Sequence, residues 1–388
     1  MNKITSNKIL FRKLENFGFD SRVSSGCEDL INFQGKKLFN FASNDYLGFS
    51  KDKKLINESI KWTQKYGSSL SSSRLVTGNL DKINLIENLI SKKVGHEEST
   101  IVGNGFLLNS TLIPALTGNS LGKRNKFLIF SDKYNHASIN YGCVISRQKC
   151  FRYNHLDLNH LEKLLKKIKT NEKKMIISET LFSMDGDIVD IEGIRLLSEK
   201  YNAILYLDEA HSFGVFGKNG FGLASEKKKS SNEIIVGTFS KALGSYGSFV
   251  SCSKHFHKII VNTCGGLIYS TALPPPVLGA IFAALKKIPN ISPLRKKFLN
   301  NSLFLIKNLK QLNLNTAGSS SQIIPIILKD HKKCKKLCNY LLDCGFYVKD
   351  VRPPTVPKGL DRIRISLTAT MKKSLIELLI KHIADFRF

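Results

Sequence analysis

Three apolar runs constrain this chain more than anything else in it: MIISE at 175–179, ILYLDEAH at 204–211 and EIIVGTFSK at 233–241. None alternates polar and apolar residues as a strand with one wet face does, so each is predicted to be a strand buried on both faces. Between the first two lies IEGIRLLSEKYN, which reads as a short helix. Ahead of them, LEKLLKKIK puts Leu161, Leu164, Leu165 and Ile168 on one helical face, with Asp157 placed to start the helix. Strands alternating with helices imply a mostly parallel α/β sheet, whose ligands sit beyond the carboxyl ends of the strands. Those ends carry chemistry: Ser183 in the loop FSMDGD, Asp208 with His211, and Thr238 with Lys241. They are expected to converge on one site.

At 388 residues, 42% of them hydrophobic, the chain exceeds the roughly 250–300 residues at which a single core stops growing. The expected organisation is an N-terminal segment 1–47, a large domain 48–285 and a smaller α+β domain 286–388, where Lys- and Leu-rich helices give way to QIIPIIL and RIRISLTA. Ile363, Ile365 and Leu367 are predicted to face the small domain's core, leaving Arg362, Arg364 and Ser366 on the other side of their strand. The eight cysteines include no CxxC pair, and Cys334 and Cys338 stand one turn apart on a predicted helix, so neither a disulfide framework nor a metal site is expected. The N-terminal stretch MNKITSNKILFRKLENFGF has no unbroken apolar core, and the longest apolar run, Val277 to Leu285, is about half of the ~20 residues a membrane span needs. A soluble, cytoplasmic protein without membrane contact is the expectation.

With 59 Lys and Arg against 31 Asp and Glu, the net charge is +28. Such a charge suits nucleic acid, but the basic residues fall in scattered clusters, KDKK from 51, EKKK from 226 and KDHKKCKK from 329, without a basic arm or interleaved aromatics. They read as solvated surface that also attracts anionic small molecules or an acidic carrier protein. A basic nucleic-acid or carrier-binding module is the non-enzymatic alternative.

A lysine amine forms a Schiff base with an aldehyde, and an aspartate can hold a pyridine nitrogen protonated; the two together are what pyridoxal phosphate (PLP) requires. Its phosphate needs a cradle. STIVGNGFLLNSTL offers one, since Gly103, Asn104, Gly105 and Phe106 stand at a predicted strand-to-helix junction where free amides and the helix dipole favour an anion. Taken singly, each element has a plainer reading: an exposed lysine, a strand-end cap, a core histidine at His136, a loop lacking GxGxxG. Their common place at the strand ends of one sheet is what joins them.

The blocks NDYLG (44–48), SRLVTGN (73–79), SMDGD (183–187), DEAHSFGVFGKNGFG (208–222) and TFSKALGSYG (238–247) resemble the α-oxoamine synthase family of fold-type I PLP enzymes, over about residues 38 to 370. The resemblance implies an aspartate aminotransferase-like fold and a PLP-dependent acyltransferase that joins an amino acid to an acyl thioester. It further implies that Lys241 carries the cofactor, that Asp208 pairs with the pyridine nitrogen, that His211 and Ser183 hydrogen-bond the phenolic oxygen, and that His136 stacks on the ring. The Gly105 and Phe106 amides and the Thr238 hydroxyl would bind the phosphate, joined by Ser270 and Thr271 of a second subunit, so a homodimer is expected. Arg364 would clamp the amino-acid carboxylate, and Asn44 is assigned to substrate as well. RPPTVPKG (352–359) is most similar to the family member that takes L-alanine and a pimeloyl thioester, carried by coenzyme A or an acyl carrier protein, with Thr355 near the substrate. A glycine-using acetyl or succinyl transferase is the alternative. Two places depart from the family pattern: Ser71 and Ser72, and Ser248, stand where glycines are common.

Overall fold

The computed structural model describes residues 29–33, 35–118, 126–168, 172–226 and 230–387. The N-terminal stretch considered above as a leader, Cys27 and residues 227–229 of the EKKK cluster lie outside the described residues. Among the described residues the strands are β1 (Leu30–Phe33), β2 (Lys36–Asn40), β3 (Glu98–Val102), β4 (Phe127–Asp132), β5 (Lys149–Tyr153), β6 (Lys173–Glu179), β7 (Ala203–Asp208), β8 (Glu233–Thr238), β9 (Ser248–Cys252), β10 (Ile323–Ile327), β11 (Phe346–Tyr347), β12 (Lys349–Val351) and β13 (Arg362–Ser366). The central sheet runs β3–β9–β8–β7–β6–β4–β5; β9 is antiparallel to both neighbours and every other pair is parallel. Strands β10, β13 and β12 form a small antiparallel sheet, and β11 adds to the β1–β2 hairpin, tying the N-terminal strands to the C-terminal part of the chain.

The three apolar runs became β6, β7 and β8, adjacent and parallel. Met175 and Ile177 pack on one face with Tyr206, Ile234 and Val236, while Ile176 packs on the other with Leu205, Leu207 and Ile235. Both faces are covered, which is why these strands show no polar alternation. Each such aliphatic side chain contributes about 1.5–3 kcal/mol on leaving water. Gly237 serves β8 by its size, since a Cβ there would stand 2.5 Å from the Phe249 ring on β9.

The helices that matter for the site are α1 (Lys53–Tyr66), α2 (Asp81–Val94), α3 (Gly105–Leu116), α4 (Ala137–Ile145), α5 (Leu158–Lys166) and α6 (Ile191–Lys200). In α5 the Asp157 carboxylate accepts from the His160 amide at 2.8 Å, and Leu161 and Leu165 are buried. Ile168 lies past the last turn but still packs on the core. The helical run Pro275–Gln311 extends well beyond the apolar segment Val277–Leu285, and by length and composition alone could cross a membrane. In the fold it is a core element: Leu278, Ile281, Leu285, Ile288 and Phe298 are buried, and Gly279 packs against Trp62 of α1. Of the departures from the family pattern, Ser71 has a φ of 51°, the left-handed conformation that a glycine adopts without strain.

On β13, Ile363 and Ile365 join the core, whereas Arg362 and Arg364 turn to the loop that follows β6. Arg362 Nη1 donates to Asp185 at 2.7 Å, and Arg364 Nε donates to the Ser183 carbonyl at 2.7 Å. His155 grips the same loop from the other side: its Nδ1 lies 3.0 Å from Asp132 and its Nε2 2.9 Å from Asp187, between the rings of Tyr134 and Phe182. Burial opposes the imidazolium, but the two carboxylates outweigh it and push the pKa up to about 9. Because the folded value lies above the ordinary 6.5, the stabilisation is complete below that pH and is lost as pH rises through about 9. We expect His155→Gln to destabilise the protein by about 3 kcal/mol near pH 6. In urea unfolding the gap to the parent should close as pH approaches 10; an undiminished gap there contradicts a charged His155.

Candidate active site

Beyond the carboxyl ends of β6, β7 and β8 lies a cavity of about 230 Å³. The predicted residues Lys241, Asp208, His211, Thr238, His136, Gly105 and Phe106 all line it. Lys241 owes its place to the turn that closes β8. The Thr238 hydroxyl and the Phe239 amide both donate to the Gly247 carbonyl, at 2.8 and 2.9 Å, folding TFSKALGSYG back on its own strand. Phe239 and Leu243, two residues to either side, are buried, and Lys241 Nζ reaches His211 Nε2 at 2.7 Å. Burial pushes the amine down to about 8, against the opposite pull of Asp208 and Glu179.

Asp208 ends β7 and accepts from the Asn109 side chain at 2.8 Å and the Ala210 amide at 2.9 Å. Asn109, on α3, also donates to Ser138 and accepts from the Tyr206 hydroxyl, so the carboxylate rests on a fixed set of donors. Glu179 ends β6 as the register partner of Asp208 and lines the same cavity. Burial first, then the neighbouring Asp208, raise Glu179 to about 8, and it accepts the His136 amide at 2.6 Å. The His136 ring caps α4 by accepting from the Ser138 amide. At the far side of the cavity Asn104 caps α3 by accepting from the Leu107 amide at 2.9 Å, and the first-turn amides of Gly105 and Phe106 have no acceptor within the helix.

His211 is held from behind. Its carbonyl accepts from Gln322 at 2.9 Å, and its Nδ1 lies 2.7 Å from the Tyr46 hydroxyl. Burial and the Lys241 charge drive its pKa well below the ordinary value, so the ring is neutral. Arg364 and Asn44 meet one another and Tyr46 just behind this wall.

Besides Arg364 and Asn44, which stand behind it, four predicted residues are not in the wall. Ser183 faces Arg364 through its carbonyl, and Thr355 is exposed in the turn after Arg352. Ser270 and Thr271 lie with Gly103 in a separate small void, where Thr271 bridges to Ser73. Sequence reasoning passed over Tyr46, Glu179 and Asn109. Glu179 carried a usable signal as the polar last residue of an apolar strand, and Tyr46 sits inside NDYLG; Asn109 carried none, since it looks like any polar residue of a helix.

This set fits PLP on structural grounds. A primary amine with its pKa near 8 stands beside a carboxylate already oriented by two donors, and an open helix start lies across the cavity for the phosphate. Such a cavity on such a sheet is that of a fold-type I PLP-dependent transferase. The chain belongs to the aminotransferase class I and II family, whose model matches residues 36–383. It is 40% identical to the putative 8-amino-7-oxononanoate synthase of Paramagnetospirillum magneticum, over 90% of this chain and 89% of the relative. It superposes on 8-amino-7-oxononanoate synthase from Francisella tularensis with a TM-score of 0.76 at 27% identity, covering 90% of this chain and 97% of that one. On serine palmitoyltransferase with PLP the TM-score is 0.85 at 26% identity, covering 92% and 89%. The chain is an α-oxoamine synthase, a PLP-dependent acyltransferase, as the sequence blocks implied.

Proposed function

We propose that the chain makes 8-amino-7-oxononanoate by condensing L-alanine with a pimeloyl thioester, with loss of carbon dioxide and the thiol, as a step of biotin biosynthesis in the cytoplasm. The observation that carries this reading is the 2.7 Å contact of Lys241 Nζ with His211 Nε2 in a cavity shared with Asp208, in a chain whose relatives bear that name. PLP, when bound, supplies an aldehyde that joins the amino acid and a ring that draws off the electron pair left at Cα. The remaining work belongs to the chain. Lys241 removes the Cα proton of alanine and later returns one to the product, and a pKa near 8 suits both directions near neutral pH. Asp208 holds a proton on the pyridine nitrogen. The Gly105 and Phe106 amides and the Thr238 hydroxyl hold the phosphate, His136 covers the ring and His211 hydrogen-bonds the phenolic oxygen. Ser183 shares that oxygen by resemblance, and its carbonyl also aims Arg364. Arg364 and Asn44 take the alanine carboxylate, and Thr355 stands on the acyl side.

Homodimerisation is part of the same reading. Tyr269 and Val76 are 86% and 74% exposed on the single chain, an apolar display in the segments that carry Ser270, Thr271 and Ser73, and Val144 on α4 is 75% exposed as well. The net charge of +28 suits an anionic thioester carrier, coenzyme A or an acyl carrier protein.

Purified protein is expected to be yellow and to form 8-amino-7-oxononanoate, read by mass, from alanine and pimeloyl coenzyme A. Glycine with acetyl or succinyl coenzyme A should react at about a hundredth of that rate or less. The opposite preference would move the chain to the glycine-using transferases. Arg364→Lys is expected to raise the KM for alanine about 10- to 100-fold with a smaller loss of kcat, because a point charge cannot grip the carboxylate with a fork. An unchanged KM would remove Arg364 from the carboxylate.

A further inference from the structure

A continuous line of hydrogen bonds runs from β13 to the cavity. Arg364 Nη2 donates to Asn44 Oδ1 and to the Tyr46 oxygen, both at 3.2 Å. The Tyr46 oxygen stands 3.0 Å from Asn44 Oδ1 and 2.7 Å from His211 Nδ1. His211 Nε2 stands 2.7 Å from Lys241 Nζ. Tyr46 is fully buried, so solvent does not compete for its contacts with His211 and Arg364.

A phenol has one proton, and here two acceptors compete for it. When the hydroxyl donates to Asn44, His211 can bond the Tyr46 oxygen only with its ring proton on Nδ1, and Nε2 then accepts from Lys241. When the hydroxyl donates to Nδ1, the ring proton sits on Nε2, which donates to the lone pair of the uncharged Lys241 amine. Burial keeps the Tyr46 phenol protonated, and burial above all keeps the His211 ring neutral. Both arrangements hold the same number of hydrogens and differ only in their positions.

We propose that Tyr46 is a positioning residue that ties the filling of the Arg364–Asn44 clamp to the tautomer of His211, and through it to the hydrogen bond at Lys241. A carboxylate entering the clamp draws the Arg364 and Asn44 amide donors to itself, and Asn44 ceases to be the acceptor of the phenol. The phenol turns to Nδ1, and His211 presents Nε2–H to the reacting end of the cavity. The incoming charge also offsets Arg364, which faces both His211 and Lys241 and disfavours a proton on each. The other groups facing this pair are His136, Asp208 and Glu179, all of them in the cavity wall. The substrate's own carboxylate thus sets the donor beside the lysine only when an amino acid is in place. The inference rests on Arg364 and Asn44 being the carboxylate site.

The test uses holoenzyme carrying 15N-labelled histidine, with and without propionate, a carboxylate that lacks the amine of alanine. Saturating propionate is expected to move the proton-bearing nitrogen signal of His211 from Nδ1 to Nε2. In Tyr46→Phe, propionate should still compete with alanine, its inhibition constant changing by less than about threefold, while the His211 signals stay where they were. A tautomer that does not respond in the parent protein overturns the proposal, and so does a response that survives in Tyr46→Phe. The parent measurement stands without the variant, so a Tyr46→Phe protein that fails to fold does not shield the idea. Propionate that does not compete with alanine defeats the clamp reading and the coupling together. Competition without a tautomer change defeats the coupling alone.

Discussion

Lys241→Ala is expected to lower kcat by about 10⁴-fold or more and to leave PLP held only by noncovalent contacts. Two functions leave with one amine: the covalent tie to the cofactor and the base that moves the Cα proton. The cavity wall itself should survive, because Phe239 and Leu243 stay buried and the Gly247 carbonyl still receives Thr238 and Phe239. Borohydride reduction followed by mass spectrometry reads the tie directly. The parent chain should gain the mass of the reduced cofactor, and the variant should remain unmodified while its circular dichroism is unchanged. A variant that is still tagged, or still turns over at a tenth of the parent rate, would place the chemistry on another residue.

The second large effect is expected at Asp208. Asp208→Asn keeps the shape of the side chain and removes the charge that holds a proton on the pyridine nitrogen, so kcat should fall about 10²- to 10³-fold. Cofactor affinity should suffer far less, since the phosphate contacts at the start of α3 and the tie to Lys241 both remain. Exchange of the alanine Cα hydrogen with deuterium, followed by NMR without thioester, isolates proton abstraction from condensation. That exchange should slow as much as turnover does. If exchange keeps the parent rate while turnover falls, Asp208 acts at another step. Glu179 cannot simply replace it. Although Glu179 is its register partner on β6, burial and the nearness of Asp208 raise Glu179 to about 8, which leaves it mostly neutral at neutral pH.

Much of this site was written in short stretches of chain. Strands β6, β7 and β8 are uniformly apolar because both of their faces are covered, and their polar ends sit where a parallel sheet exposes its carboxyl edge. Asp157 and Asn104 cap α5 and α3 through neighbours three residues on, contacts that spacing alone can reveal. The lysine turn, too, is local, with Gly247 closing a loop that starts at Thr238.

Other parts had no local signature. Tyr46 meets His211 across 165 residues and Asn44 meets Arg364 across 320, and neither pairing leaves a periodicity to read. Ser183, read from the chain as a cavity residue, has its backbone turned to Arg364, and the residue that lines the cavity from that strand is Glu179.

The sequence by itself determined which segments become buried strands, where their reactive ends fall and that a lysine, an aspartate and a helix start would serve one cofactor, because burial pattern and capping act within a few residues. Only the tertiary structure decided which donors orient Asp208, that Glu179 stands beside it in register, and that hydrogen bonds join Arg364 to Lys241 by way of Tyr46 and His211. Those contacts depend on sheet register and on how β13 docks against the loop that follows β6, and both are set by the packing of the whole chain.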